Sequence, residues 1–68
     1  MKLSVKNQLK GKIVEVTKGG HRARVRIEVG QGAVITASIT SDAVAELGLQ
    51  KGDEAWAIIH ASDVMIGK

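Results

Sequence analysis

The sequence predicts a mainly β fold, a small barrel of short strands with one short helix. Three observations carry that reading. Eight Val, seven Ile and eight Ala stand against four Leu, one Trp and no Phe or Tyr. Small and β-branched side chains suit pleated strands better than helix bundles. Apolar and polar residues alternate with period two over long stretches, the signature of half-buried strands. Glycine-bearing turn signals separate those stretches at the spacing of small all-β domains.

The elements follow in chain order. Gly11 interrupts a possible longer strand running from Leu3, so a bulge or bend is expected there. Residues 12–16 form the next strand, which leaves through Lys18-Gly19-Gly20. Between 21 and 29, Ala23, Val25, Ile27 and Val29 alternate with Arg22, Arg24, Arg26 and Glu28, giving one buried and one wet face. Gly30-Gln31-Gly32 is a hairpin turn. Residues 34–40 return with Ile35, Ala37 and Ile39 pointing one way and Thr36, Ser38 and Thr40 the other. Ser41 is a good N-cap, Asp42 favours a first helical turn, and Gly48 stops the helix, which spans roughly 42–47. Residues 49–53 form a loop turning at Lys51-Gly52. Two last short strands, 55–60 and 63–66, are broken near Ala61-Ser62. With no linker, repeat or low-complexity tract, residues 1–68 read as one domain.

A barrel of this length has a thin core. A chain this short buries only about 60% of its unfolded surface. Small domains compensate through disulfides, metals or self-association. There is no cysteine, and His21 and His60 are too few for an ordinary structural metal site. Self-association remains, so subunit interfaces are expected to complete the core. The apolar runs are far shorter than a membrane span, and residues 1–6 lack a signal-peptide hydrophobic region. A cytoplasmic protein without membrane partners is the expectation.

The charge is lopsided. Residues 1–30 carry eight Lys and Arg against Glu15 and Glu28, a net +6, while residues 31–68 carry a net −3. A basic half points to anionic partners, such as nucleic acid, a membrane surface or small oxyanions. Nucleic acid is disfavoured, because single-strand binders use aromatic stacking platforms and Trp56 is the lone aromatic. The row Arg22, Arg24, Arg26 reads better as a solvated or interfacial face, paired across strands with Glu15 and Glu28. Catalysis is disfavoured too. Ser62, His60 and Asp63 are too close in sequence to make a triad, and the glycine pairs lack a phosphate-loop lysine and helix.

Oxyanion binding needs less machinery. A tetrahedral dianion requires converging N–H and O–H donors and one or two cations in a partly dry site. Ser4-Val5-Lys6-Asn7-Gln8 and His60-Ala61-Ser62 have the right residue types. On a strand Ser4 and Lys6 share a side, so a hydroxyl and a charge would converge with backbone N–H groups.

These same segments carry a resemblance. Ser4-Val5-Lys6-Asn7-Gln8-Leu9-Lys10-Gly11 is similar to the opening of the molbindins, the stand-alone Mop-like molybdate-binding members of the TOBE domain group. Ile35-Thr36-Ala37-Ser38-Ile39-Thr40, Leu47-Gly48-Leu49 and His60-Ala61-Ser62-Asp63-Val64-Met65-Ile66 continue the likeness to the chain's end. The resemblance implies an OB-like barrel whose N-terminal strand is exchanged in a dimer, and a hexamer built as a trimer of dimers. It implies molybdate, or tungstate, held at subunit interfaces for storage, buffering or sensing, with no organic cofactor and no directly coordinated metal cation. Carried over by position, the oxyanion site uses Ser4, Val5, Lys6, Thr40, His60, Ala61 and Ser62.

Two positions depart from the family pattern. Lys6 stands where the family has arginine, keeping the charge but losing the planar fork of donors. His60 stands where the family has lysine, so this site's charge depends on pH. A rival resemblance covers residues 39–59, which are similar to the AbrB-type swapped-hairpin DNA-binding domains. That reading implies a dimeric transcription regulator or antitoxin, and it leaves the segment from Ser4 to Gly11 without a role.

Overall fold

The computed structural model describes residues 7–68. Strand β1 spans Asn7–Lys18, β2 Arg22–Gly30 and β3 Ala33–Thr40; helix α1 spans Ser41–Leu47, β4 Glu54–Ile59, and a 3-10 turn Ala61–Asp63. The fold is mainly β with one short helix, as the sequence predicts. The strands form one antiparallel sheet in the order β3-β2-β1-β4.

β1 holds the sheet together by serving two neighbours. Its first half, from Asn7 to Lys12, pairs with β4. From Lys12 onward it pairs with β2. Gly11 sits at this handover. A Cβ there would come within 2.9 Å of the Glu28 carbonyl carbon and of Ile27 Cγ1, and would overlap the Glu28 carbonyl oxygen. The strand runs unbroken through Gly11, contrary to the expected bend; the missing Cβ serves close strand approach instead. The irregularity falls between Ile13 and Glu15, where Val14 is the extra residue. That bulge resets the alternation. Ile13 opposite Ile27 and Val16 opposite Val25, three positions apart, can then both face inward.

The core is small, as the length requires. Ile13, Ala23, Val25, Ile27 and Val44 are buried. Val16, Ile39, Leu49 and Ala55 pack around them. Val44, 1% exposed, seats α1 on the sheet. The helix begins one residue earlier than expected, and Thr40, not Ser41, is its N-cap. Thr40 Oγ1 accepts the Ala43 N–H at 3.1 Å, satisfying a donor that the first turn leaves without a partner. Ser41 instead anchors the helix start to the β1–β2 turn, its N–H donating to the His21 carbonyl at 2.8 Å. Gly48, at φ +62°, ends the helix as predicted.

The C-terminal end differs from expectation. β4 stops at Ile59, and residues 64–66 form no strand. The chain turns through Ala61–Asp63, where the Asp63 N–H donates to the His60 carbonyl at 2.9 Å. Val64, Met65 and Ile66 follow with Met65 91% and Ile66 89% exposed. A strand needs a hydrogen-bonding neighbour, and among the described residues this segment joins none of the four in a ladder. β3 and β4 are accordingly the two sheet edges. Between them opens an apolar groove of about 670 Å³, lined by Ile35, Ala37 and Ile39 on one side and Ala55, Ala57 and Ile59 on the other.

Candidate functional site

Ser4, Val5 and Lys6 lie outside the described residues. The strand that follows them in sequence is well tied. Asn7 pairs with Ile59 at the β1–β4 end, and its Nδ2 donates to the Ile59 carbonyl at 3.2 Å. This amide fixes the last residue of β4, next to His60. Sequence reasoning quoted Asn7 within a motif but gave it no role.

His60, Ala61 and Ser62 stay together. His60 caps the 3-10 turn through backbone geometry, with no side-chain capping bond. All three are exposed. Thr40 is elsewhere. β3 ends at Thr40 opposite Arg22, near the Lys18 end of β1. β4 ends at Ile59 opposite Asn7, at the other end of β1. Twelve residues of β1 separate these ends, about 35 Å of strand if straight. Thr40 and His60 thus follow strand ends that pair at opposite ends of β1. The Thr40 hydroxyl oxygen is already an acceptor for the helix cap, which leaves its proton free to donate.

The arginine row is arranged as the alternation predicts. Arg24 Nη2 lies 3.8 Å from Glu15 Oε2 and Arg26 Nη1 3.6 Å from Glu15 Oε1. Thr17 Oγ1 donates to Glu15 Oε2 at 3.4 Å. Glu15 Oε1 is shielded from solvent without a hydrogen bond. Glu28 faces Lys12 in the ladder rather than an arginine. Arg22 turns toward β3, its Nη2 donating to the Ser38 carbonyl at 2.8 Å and to Ser38 Oγ at 3.1 Å.

Trp56, expected in a core or an interface, is 44% exposed on the rim of the apolar groove. Lys10 Nζ lies 5.9 Å from its ring centroid and 3.4 Å from Glu54 Oε1. A hollow beside Gly11 is lined by Lys10 and Lys12 but also by Glu28 and Glu54. Its charges cancel, so it offers no net attraction to an anion. Among the described residues no group of three His, Asp or Glu side chains is placed to hold a metal ion. Among the same residues no helix is long and apolar enough to cross a membrane.

Comparison with known proteins places this geometry. The pattern of the TOBE domain matches residues 3–66. It spans residues 39–59, and so removes the ground for the swapped-hairpin alternative. A probable molybdenum-pterin-binding protein of Haemophilus influenzae is 48% identical over 67 residues, covering 98% of this chain and 97% of that protein. The structure of MopII from Clostridium pasteurianum superposes with a TM-score of 0.94 at 43% identity, covering 98% of this chain and all of that one. The cytoplasmic molybdate-binding protein ModG, solved with molybdate bound, gives a TM-score of 0.90 at 40% identity, covering 96% of this chain and 46% of that one. Strand order, helix position and these full-length likenesses agree: the chain belongs to the TOBE domain family, in its Mop-like, molbindin branch.

Proposed function

We propose that this protein binds molybdate, or a similar tetrahedral oxyanion such as tungstate, without chemically converting it. The observation that carries this reading is the likeness, over nearly the whole chain, to proteins named for molybdate or molybdenum-pterin binding. Residues 1–68 act as one binding domain. The ligand lies between subunits of a homo-oligomer, a hexamer arranged as a trimer of dimers. The donors are the Ser4 and Ser62 hydroxyls, the Lys6 and His60 charges, the Thr40 hydroxyl, and backbone N–H groups at Val5 and Ala61. The separation of Thr40 from His60 within one chain supports an interface site, since two chains can juxtapose opposite ends of the sheet. The open groove between β3 and β4, with three exposed apolar residues at 64–66, supports assembly by strand exchange. The role is cytoplasmic storage, buffering or sensing of the oxyanion, with no membrane or nucleic-acid partner and no organic cofactor.

Native mass spectrometry with and without molybdate tests this. A particle of about six times 7.2 kDa that gains discrete oxyanion masses is expected. A dimer that takes up neither molybdate nor tungstate would overturn the reading. The His60 part has its own test. His60→Ala should weaken molybdate binding while the solution mass stays unchanged. An affinity unchanged in that variant removes His60 from the ligand set.

A further inference from the structure

The arginine row on β2 takes no part in the site proposed above, and its construction is not that of a neutralised surface. Two of its three guanidiniums, those of Arg24 and Arg26, share one carboxylate, Glu15. The two ion-pair distances, 3.6 and 3.8 Å, exceed hydrogen-bond length, so most of the Arg24 and Arg26 donors remain unspent. Arg22 spends its contacts on Ser38, which is uncharged. The Arg24 and Arg26 side chains are 57% and 47% exposed.

The row also has a direction. In the β2–β3 ladder Arg26, Arg24 and Arg22 approach the end of β3 in steps of two residues, and Arg22 stands opposite Thr40. Two residues of strand are about 7 Å, inside the screening length of roughly 8 Å at physiological salt. Each cation therefore hands an anion to the field of the next, and the last lies beside a proposed ligand residue. No aromatic side chain occupies this face of β2, so it offers a nucleic acid charge but no stacking.

We propose that Arg22, Arg24 and Arg26 form an anion-collecting surface that draws the dianion from solution toward the Thr40 end of the sheet and sets the association rate. This inference rests on the molybdate-binding reading. Exposed charges contribute little to bound-state energy, but a one-signed patch raises encounter rates and does so in a salt-dependent way. The row therefore governs how fast the ligand arrives, while the interface donors govern how long it stays.

The test compares the intact protein with R24Q/R26Q, which removes two collecting charges, and with E15Q, which removes the carboxylate that both of them face. Equilibrium dialysis of labelled molybdate gives Kd. Chase with unlabelled molybdate and rapid filtration gives koff, and their ratio gives kon. At low salt R24Q/R26Q should lower kon roughly three- to tenfold and E15Q should raise it about twofold. In both, koff should stay within twofold and the solution mass should be unchanged. The difference in kon should shrink as salt is raised. A loss carried by koff, a kon that ignores both variants, or a change of solution mass in R24Q/R26Q would overturn the inference while leaving molybdate binding intact. If the unsubstituted protein binds no molybdate, the functional reading itself fails, and the inference with it.

Discussion

The sheet around β2 and the region from β4 to the chain end are built on opposite terms. β2 is paired on both sides, by β1 and by β3. Its inward residues Ala23, Val25 and Ile27 are buried to within 5% exposure, and its outward arginines are wet. β4 has one neighbour, leaves Trp56 and Ile58 more than 40% exposed, and runs into an uncovered apolar segment. The difference teaches where this fold ends as a monomer. β2 has both backbone edges paired, and its inner face is buried with Ile13 of β1 and with Val44 of α1, Leu49 and Ala55. The β4 end presents an open edge, an apolar groove and an apolar segment, a combination that natural sheets cover rather than expose.

The largest effect should come from breaking the buried region around β2. Ile13 is 1% exposed at the point where β1 passes from β4 to β2. Ile13→Ala should cost about 3–4 kcal/mol in urea unfolding, through lost transfer energy and the cavity left behind. The same kind of change at the other region should act differently. Met65→Ser with Ile66→Ser should alter stability of the isolated subunit by less than about 0.5 kcal/mol, since both are almost fully exposed there. It should nevertheless lower the assembly mass in analytical ultracentrifugation. If the double variant keeps its assembly, the apolar end segment is not what covers the groove.

This contrast also explains which parts of the molecule were legible in the sequence. The strict alternation of Ala23, Val25 and Ile27 with arginines reported a strand buried on one face by its own chain, and the structure has it there. Gly48 and the Gly30-Gln31-Gly32 turn were equally legible, because Gly48, Gly30 and Gly32 all adopt positive φ. Alternation could not locate the bulge at Val14, because the run Ile13-Val14 offers two apolar residues for one inward position. Only the partner residues Ile27 and Val25 decide which is used. Residues 63–66 carry an apolar pattern suited to a strand, but a pattern says nothing of where the neighbour comes from. Of the proposed site, the residue types were legible in the sequence. The remoteness of Thr40 from His60 was not, because it depends on the strand order.

The helix start sharpens the comparison at a smaller scale. Thr40 belongs to the well-paired region by its cap and to the proposed site by its free hydroxyl proton. Thr40→Ala should cost about 1 kcal/mol by losing the bond to the Ala43 N–H. Thr40→Asp keeps an acceptor for that N–H and favours the helix start, so it should restore stability. It also places a negative charge where the dianion is proposed to sit, so it should abolish molybdate retention in dialysis. A stable T40D protein that still binds molybdate would exclude Thr40 from the site.

The smallest effect is expected at the rim of the groove. Lys10 lies over Trp56 at 5.9 Å and beside Glu54 at 3.4 Å, with both charged side chains more than half exposed. Solvent screening reduces such a pair to below about 1 kcal/mol, and the distant cation–π contact adds a similar or lesser amount. Lys10→Met keeps the aliphatic stem on the indole and removes the charge. It should shift urea unfolding by no more than about 0.5–1 kcal/mol. Its value is as a position marker, because Trp56 is the chain's single aromatic residue. If an entering strand covers the groove, Trp56 emission should move to shorter wavelength on assembly in both the unsubstituted protein and K10M. In the dissociated 65/66 double variant it should stay at the longer wavelength of an exposed indole. A tryptophan whose emission is the same in assembled and dissociated protein would place the covering strand away from β4, and would move the search for the interface to the β3 edge.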